Sequence, residues 1–326
     1  MIYENLYHQA LIQPFQDGAD QLKIVSGYAT SAMAFHHLQE IKEIRDNLNV
    51  SLLVGMCPSD GISISNHRGF QKLMSADYKN DFRCSYIFNK PPVHSKIYIW
   101  SKDEKPFKCF IGSANYTQMA FSSKQRECLT DITDSNVLHY FDLLERESIF
   151  CDHPDTEGLI TIYNDKHYYR KHTREDIISP STTVNEAVPE EIGCEKIVVS
   201  LLGRNGEMQN RGGLNWGQRD GRDHNQAYIQ LPPEVYRSDF FPTRSIHFTI
   251  QTDDNKQLMC TRAQKSEEGQ AIETPQNNSL IGEYFRHRLG LSSGAFVTKQ
   301  HLEKYGRTNV AFYKFDDENY YMDFSI

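Results

Sequence analysis

Residues 93–117 (VHSKIYIWSKDEKPFKCFIGSANYT) hold the one His-x-Lys of the chain, at His94 and Lys96. A strand repeats every two residues, so His94, Lys96, Tyr98 and Trp100 are expected on one face of it and Ser95, Ile97 and Ile99 on the other. Residues 102–106 read as a turn and 107–111 as a return strand, which brings Gly112, Ser113 and Asn115 back beside the start of the first. An imidazole, an ammonium, a hydroxyl and a carboxamide then meet at one spot. Such a set suits a phosphodiester: the imidazole nitrogen attacks phosphorus while Lys96, Ser113 and Asn115 hold the non-bridging oxygens, and no metal is needed. Taken alone, the dipeptide also reads as a solvated strand face, since the chain has 13 histidines.

His-x-Lys followed by Gly-Ser-x-Asn resembles the motif of the phospholipase D superfamily, and His94, Lys96, Gly112, Ser113 and Asn115 match it residue for residue. One position departs. The family has Asp five residues after the Lys, where this chain has Ser101, with Asp103 two places further on. That departure bears on the support of the site more than on its chemistry. Glu127 matches a carboxylate that family nucleases place near the histidine, and the resemblance implies that it orients the ring. The other reading of Glu127 is an exposed strand carboxylate paired with Arg126. Sites of this superfamily use two His-x-Lys motifs, one histidine attacking and the other protonating the leaving oxygen. The chain supplies one, so the resemblance implies a homodimer with a composite site on its two-fold axis.

The elements that position these residues follow an α/β pattern. Strands are expected at 23–29, 50–56, 82–88 and 126–132, and helices at 31–44 (capped by Ser31), 67–77 and 134–149, the first with Ala34, Leu38, Ile41 and Ile44 on one stripe. Alternation of this kind indicates a layered domain with a parallel or mixed sheet. At 326 residues, 39% hydrophobic, the chain can bury two cores of about 150 residues each. We place the nuclease-like domain at 1–178, a linker rich in turn formers and acids at 179–194, and a second domain at 195–326. Residues 160–163 read as an edge strand. The basic, aromatic run at 166–174 reads either as a phosphate-contacting strip or as solvated surface.

The second domain has the texture of short strands, at 196–202, 227–231, 245–252, 257–263, 309–315 and 321–326, with helices at 279–289 and 298–305. This spacing suggests a mostly β pseudobarrel with helical plugs. Its long loop, 204–225, carries Arg204, Asn205, Arg211, Asn215, Trp216, Gln218, Arg219, Asp220, Arg222 and His224. Arg, Asn and Gln are the side chains that read base edges in the major groove. Tyr284, Arg286, Arg288, Thr298, Lys299, Tyr305 and Arg307 form a second polar arm. Two arms on one barrel could embrace a duplex; each also reads as solvated surface.

The chain as a whole resembles restriction endonucleases of the NgoFVII and NgoAVII type, in which a phospholipase D-like nuclease is joined to a plant B-three-like DNA-binding pseudobarrel. Besides the hairpin, residues 212–218 (GGLNWGQ) carry that likeness. The resemblance implies cleavage of double-stranded DNA at a short GC-rich site, a cognate DNA methyltransferase and, in some relatives, a separate helicase-like ATPase subunit. The chain has no Walker lysine motif, so ATP enters only through such a partner. Two other classes share part of the signal. One is a lipid phosphodiesterase, although no amphipathic or membrane-facing segment is evident. The other is a DNA-binding module with a relic nuclease half, as Ser101 suggests. The net charge of −8 makes any nucleic-acid surface local. Seven scattered Cys without a Cys-x-x-Cys read as reduced thiols in a cytoplasmic protein, with no zinc framework and no signal peptide expected.

Overall fold

The computed structural model describes residues 1–45, 47–122, 124–133, 136–165, 194–243, 246–263 and 269–326. The chain divides into two units, residues 1–168 and 169–326. The expected linker, apart from Cys194, and the basic run at 166–174 lie outside the described residues.

The first unit's described strands are β1 (Gln21–Ser26), β2 (Asn49–Val54), β3 (Ile62–Ser63), β4 (Phe82–Ile87), β5 (Ile97–Lys102), β6 (Lys105–Gly112), β7 (Leu129–Ile132), β8 (Ser148–Phe150) and β9 (Ile162–Tyr163). Its longer helices are α1 (Ser31–Ile44), α2 (Ile64–Lys72) and α3 (Asn136–Glu145). Seven strands form one mixed sheet in the order β7-β6-β5-β1-β2-β4-β8, with β1, β2 and β4 parallel. The apolar strands are buried on both faces, as a layered sheet requires. Val25, Leu53, Ile87, Ile97 and Ile99 pack on Val137, Phe141 and Leu144 of α3. On the opposite face Trp100 Nε1 donates to Ala10 O at 2.8 Å, and His67 of α2 bonds the Tyr86 hydroxyl at 3.1 Å.

Several boundaries differ from those expected. The cap of α1 is Thr30, not Ser31: Thr30 is still extended, and its hydroxyl accepts from Met33 N at 3.2 Å. Ile44, expected on the buried stripe of α1, is exposed. α2 begins at Ile64 because the Ser63 hydroxyl accepts from Asn66 N. α3 stops at Glu145; residues 148–150, the first two of them expected in its last turn, pair antiparallel with β4 and cover that strand's edge. The β5–β6 turn is only Asp103–Glu104, both at positive φ, as a two-residue hairpin of this twist demands. His94 and Lys96 accordingly precede β5 rather than lying within it.

The second unit contains β10 (Glu195–Ser200), β11 (Ile229–Gln230), β12 (His247–Thr252), β13 (Gln257–Ala263), β14 (Ala271–Glu273), β15 (Asn309–Lys314) and β16 (Asn319–Asp323), with helices α4 (Ser279–Arg288) and α5 (Lys299–Tyr305). These strands make one curled, barrel-like sheet in the order β10-β15-β16-β12-β13-β14-β11. Its interior is aromatic: Phe240, Phe241, Phe248, Phe312 and Tyr320 interlock with ring centroids 4.9 to 5.8 Å apart. β14 is three residues long, too short to leave a period in the sequence. α5 starts as expected beside Thr298, whose hydroxyl and backbone N–H complete a capping box with His301.

Candidate functional site

The sheet order explains how distant residues of the first unit meet. β5 runs antiparallel to β1 and to β6, with Val25 opposite Ile97 and Ile97 opposite Ile111. The end of β1, the start of β5 and the end of β6 therefore share one edge of the sheet. His94 and Lys96 lie just before β5, and Ser113 and Asn115 just after β6. The ladder continues between them through Gly112 N to Lys96 O at 3.2 Å. Two glycines permit the close approaches. A Cβ on Gly55, at the end of β2, would lie 2.0 Å from Val93 O, and one on Gly112 would lie 2.1 Å from Cys128 O.

Lys96 is the buried member of the set, at 6% exposure, while His94 is exposed. Lys96 Nζ donates to His94 O at 2.7 Å and lies 3.0 Å from His94 Nε2. An ammonium has donors only, so Nε2 carries the lone pair and the ring proton sits on Nδ1. Desolvation lowers the Lys96 pKa below the ordinary lysine value, and the nearby Glu127 carboxylate opposes the shift. Asn115 Oδ1 accepts from Tyr28 N at 3.1 Å, which fixes the carboxamide and leaves its NH2 as donor. Glu127 takes a different partner from the one expected. It lies before β7 and accepts a short hydrogen bond from the Ser113 hydroxyl, which itself accepts from Cys128 N at 3.1 Å. Its contact is thus to serine, not to the imidazole or to Arg126. Ser101, where the resemblance expects Asp, is buried on β5 at a register shift after Trp100.

The second unit sorts the two expected arms into exposed and tied residues. Arg204, Asn205, Arg211, Arg219, Asp220, Arg222 and His224 are exposed. Arg219 Nε donates to Arg211 O at 2.8 Å, and Lys299 pairs with Glu207 at 3.1 Å. Arg222 lies 4.0 Å over the ring of Trp216 and donates to Gln226 Oε1 at 2.9 Å. Trp216 in turn packs edge-on against Tyr228.

Several residues read from the sequence as DNA contacts are instead spent inside the fold. Asn215 is fully buried, bonded to Gln209 O and to both the N–H and C=O of Val297. Gln218 donates to His224 O and Gly294 O. Arg286, 1% exposed, donates to the carbonyls of Gly282, Leu214, His224 and Ala295. Arg288 grips both Asp253 oxygens at 2.7 Å and also donates to the hydroxyls of Tyr284 and Tyr305 and to Phe324 O. Buried Tyr284 bonds Asp253, and Tyr305 stacks on Phe324. Thr298 is a helix cap, and Arg307 is held by Asp323, Asn309 and Ser325. These side chains shape the loops that carry the exposed ones.

One family model falls within each unit. The NgoFVII restriction endonuclease N-terminal PLD domain matches residues 4–158, and the NgoFVII C-terminal B3-like DNA-binding domain matches residues 190–316. The chain belongs to the NgoFVII restriction endonuclease family. No curated protein matches it. Among solved structures, polyphosphate kinase from Porphyromonas gingivalis is 14% identical with a TM-score of 0.32, covering 49% of this chain and 22% of that one. NucT from Helicobacter pylori is 17% identical with a TM-score of 0.32, covering 46% of this chain and 96% of that one. The chain thus spans about a fifth of the polyphosphate kinase it resembles. Among the described residues, no helix is long and apolar enough to cross a membrane.

In this NgoFVII family member, sequence reading missed the contribution of Ser26, Gly27 and Tyr28. The Ser26 hydroxyl accepts from Tyr116 N at 2.9 Å and donates to Tyr28 O at 2.5 Å. A Cβ on Gly27 would lie 3.0 Å from His94 Cδ2. A glycine directly after a parallel apolar strand was the available signal, because such sheets build sites beyond the carboxyl ends of their strands.

Proposed function

We propose that this protein hydrolyses double-stranded DNA through His94, without a metal in the chemical step. The observation that carries the reading is the 3.0 Å approach of Lys96 Nζ to His94 Nε2, with Ser113 and Asn115 on the same sheet edge. A phosphodiester entering there gives Lys96 a phosphoryl oxygen in place of the ring nitrogen and frees the Nε2 lone pair. Nε2 then bonds to phosphorus as the bond to the leaving oxygen breaks, and that oxygen takes a proton from the partner's His94. In the second step water attacks the phosphohistidine, its proton passes to the partner's His94, and the P–N bond breaks. Lys96 and Asn115, joined by Ser113 once its hydroxyl proton turns from Glu127 to the phosphate, carry the charge on the equatorial oxygens, the task a metal would otherwise perform.

The composite site is an expectation from counting, since one chain brings one His-x-Lys. One site on a two-fold axis would cut the two strands in turn, so nicked plasmid would precede linear. Specificity is assigned to the exposed arginines of the 204–225 loop reading a short GC-rich site. A cognate methyltransferase, a separate ATPase subunit and a cytoplasmic location complete the proposal. The test is digestion of supercoiled plasmid in excess EDTA by the wild type and His94→Ala. Cleavage by the first and none by the second, with duplex binding equal in both, is expected. A strict magnesium requirement in the absence of any ATPase, or cutting by His94→Ala, would refute the scheme.

A further inference from the structure

The imidazole of His94 is exposed and follows an irregular segment, so something beyond its own backbone must hold its plane. Three of the described residues lie against it. Lys96 Nζ faces Nε2, the bare backbone of Gly27 faces Cδ2, and the ring of Tyr28 stands edge-on to it at 81°, with centroids 6.1 Å apart. Lys96 must turn to the substrate during the reaction, and glycine offers no side chain. Tyr28 is the neighbour able to keep its place throughout, and it is braced at both ends. Its N–H is fixed on Asn115 Oδ1, and its hydroxyl donates a short hydrogen bond to the Asp60 carboxylate. Asp60 ends the helical turn Cys57–Asp60, which follows β2 and so belongs to the same end of the sheet.

We infer that Tyr28, anchored by Asp60, is a positioning residue that holds the His94 ring with Nε2 toward the scissile phosphorus. The inference rests on the nuclease reading above. It separates two functions of one residue: the backbone N–H orients Asn115, which substitution leaves in place, and the ring restrains His94, which substitution removes. The phenol's half-exposed position means that little core packing is lost with it.

The intact chain tests this with bis(p-nitrophenyl) phosphate and supercoiled plasmid as substrates, in wild type, Tyr28→Phe, Tyr28→Ala, Asp60→Ala and the Tyr28→Phe/Asp60→Ala pair. Tyr28→Ala is expected to lower kcat about 10- to 100-fold with KM within about twofold, as misplacement of a reacting group does. Tyr28→Phe and Asp60→Ala should each lower kcat by the same smaller factor, and the pair by no more than either alone, because each removes one partner of the same hydrogen bond. In ring-labelled histidine NMR the His94 signals should move in Tyr28→Ala and stay near wild type in Tyr28→Phe, with the urea midpoint unchanged. Wild-type kcat in Tyr28→Ala alongside a dead His94→Ala would overturn the inference alone. A wild type no more active than His94→Ala would instead remove the nuclease reading, and unmoved His94 signals in Tyr28→Ala would remove the positioning contact whatever the activity.

Discussion

Lys96 pits activity against stability. Burial lowers its pKa from the ordinary 10.5, so the charge that clamps the phosphate is lost at a lower pH than in an exposed lysine. Cleavage should therefore decline on the alkaline side, starting below pH 10.5. Stability runs the other way. Between the folded and unfolded pKa values the unfolded chain binds more protons, so this group's contribution rises with pH through that window; its penalty is full below it. Lys96→Met removes the desolvated charge, and we expect kcat about 10² to 10³ lower with a urea midpoint at or above wild type. A midpoint well below wild type would show that the ammonium supports the fold. The same separation applies to arginines in the second unit. Arg222→Ala should leave the urea midpoint near wild type and cost about 1 to 3 kcal/mol of discrimination against the wrong base. Arg288→Ala strands the Asp253 carboxylate that it grips, and should cost about 3 to 5 kcal/mol of stability. Preference measured on a randomised duplex pool decides between them: an unchanged consensus with Arg222→Ala would remove it as a reader.

At the scale of elements, the site depends on how closely the end of β2 admits the segment before His94. Val93 N donates to Gly55 O at 3.0 Å, and a Cβ at Gly55 would collide with Val93 O. Gly55→Ala must displace Val93 and carry His94 with it, so we expect about 10²-fold slower plasmid cleavage and about 1 to 3 kcal/mol lower stability. Gly158→Ala, with nothing within 4 Å of the added carbon, is the control, and equal behaviour of the two would refute the docking argument. This dependence marks what a linear reading could reach. His94, Lys96, Ser113 and Asn115 were legible because two short motifs flank a single hairpin, and hairpin pairing follows from local turn chemistry. The strand and helix alternation was legible because buried parallel strands are continuous apolar runs. Tyr28 and Gly55 were not, since they arrive from β1 and β2 through long-range pairing, antiparallel between β1 and β5 and parallel between β1 and β2, that sequence spacing does not encode. The Glu127 contact was also hidden: a carboxylate near two donors chooses by distance, and it chose Ser113. In the second arm the residue types were right for DNA, but a guanidinium suits backbone carbonyls as well as guanine. Arg286 satisfies four of them.

For the whole molecule, the one His-x-Lys has a consequence that no single-chain measurement can show. If the attacking and protonating imidazoles are the same residue in two copies, replacing one of them disables both cleavage steps in a mixed dimer. The mixed dimer either has no nucleophile or has no acid for the leaving oxygen, depending on which strand is presented. Activity should then follow the square of the wild-type fraction. At about three parts His94→Ala to one part wild type, random pairing leaves about one dimer in sixteen fully wild type, although about one chain in four is wild type. Plasmid cleavage after co-refolding, which lets subunits exchange, should thus fall about fourfold below simple dilution of the wild type. The variant must be inactive by itself and must bind duplex as well as wild type, so that competition for DNA is measured separately by adding it without exchange. A linear fall with the wild-type fraction, or a monomer in sedimentation that cuts DNA at the same rate, would mean that each chain holds a complete site. The proton donor would then have to be sought among the groups around His94 on its own sheet edge.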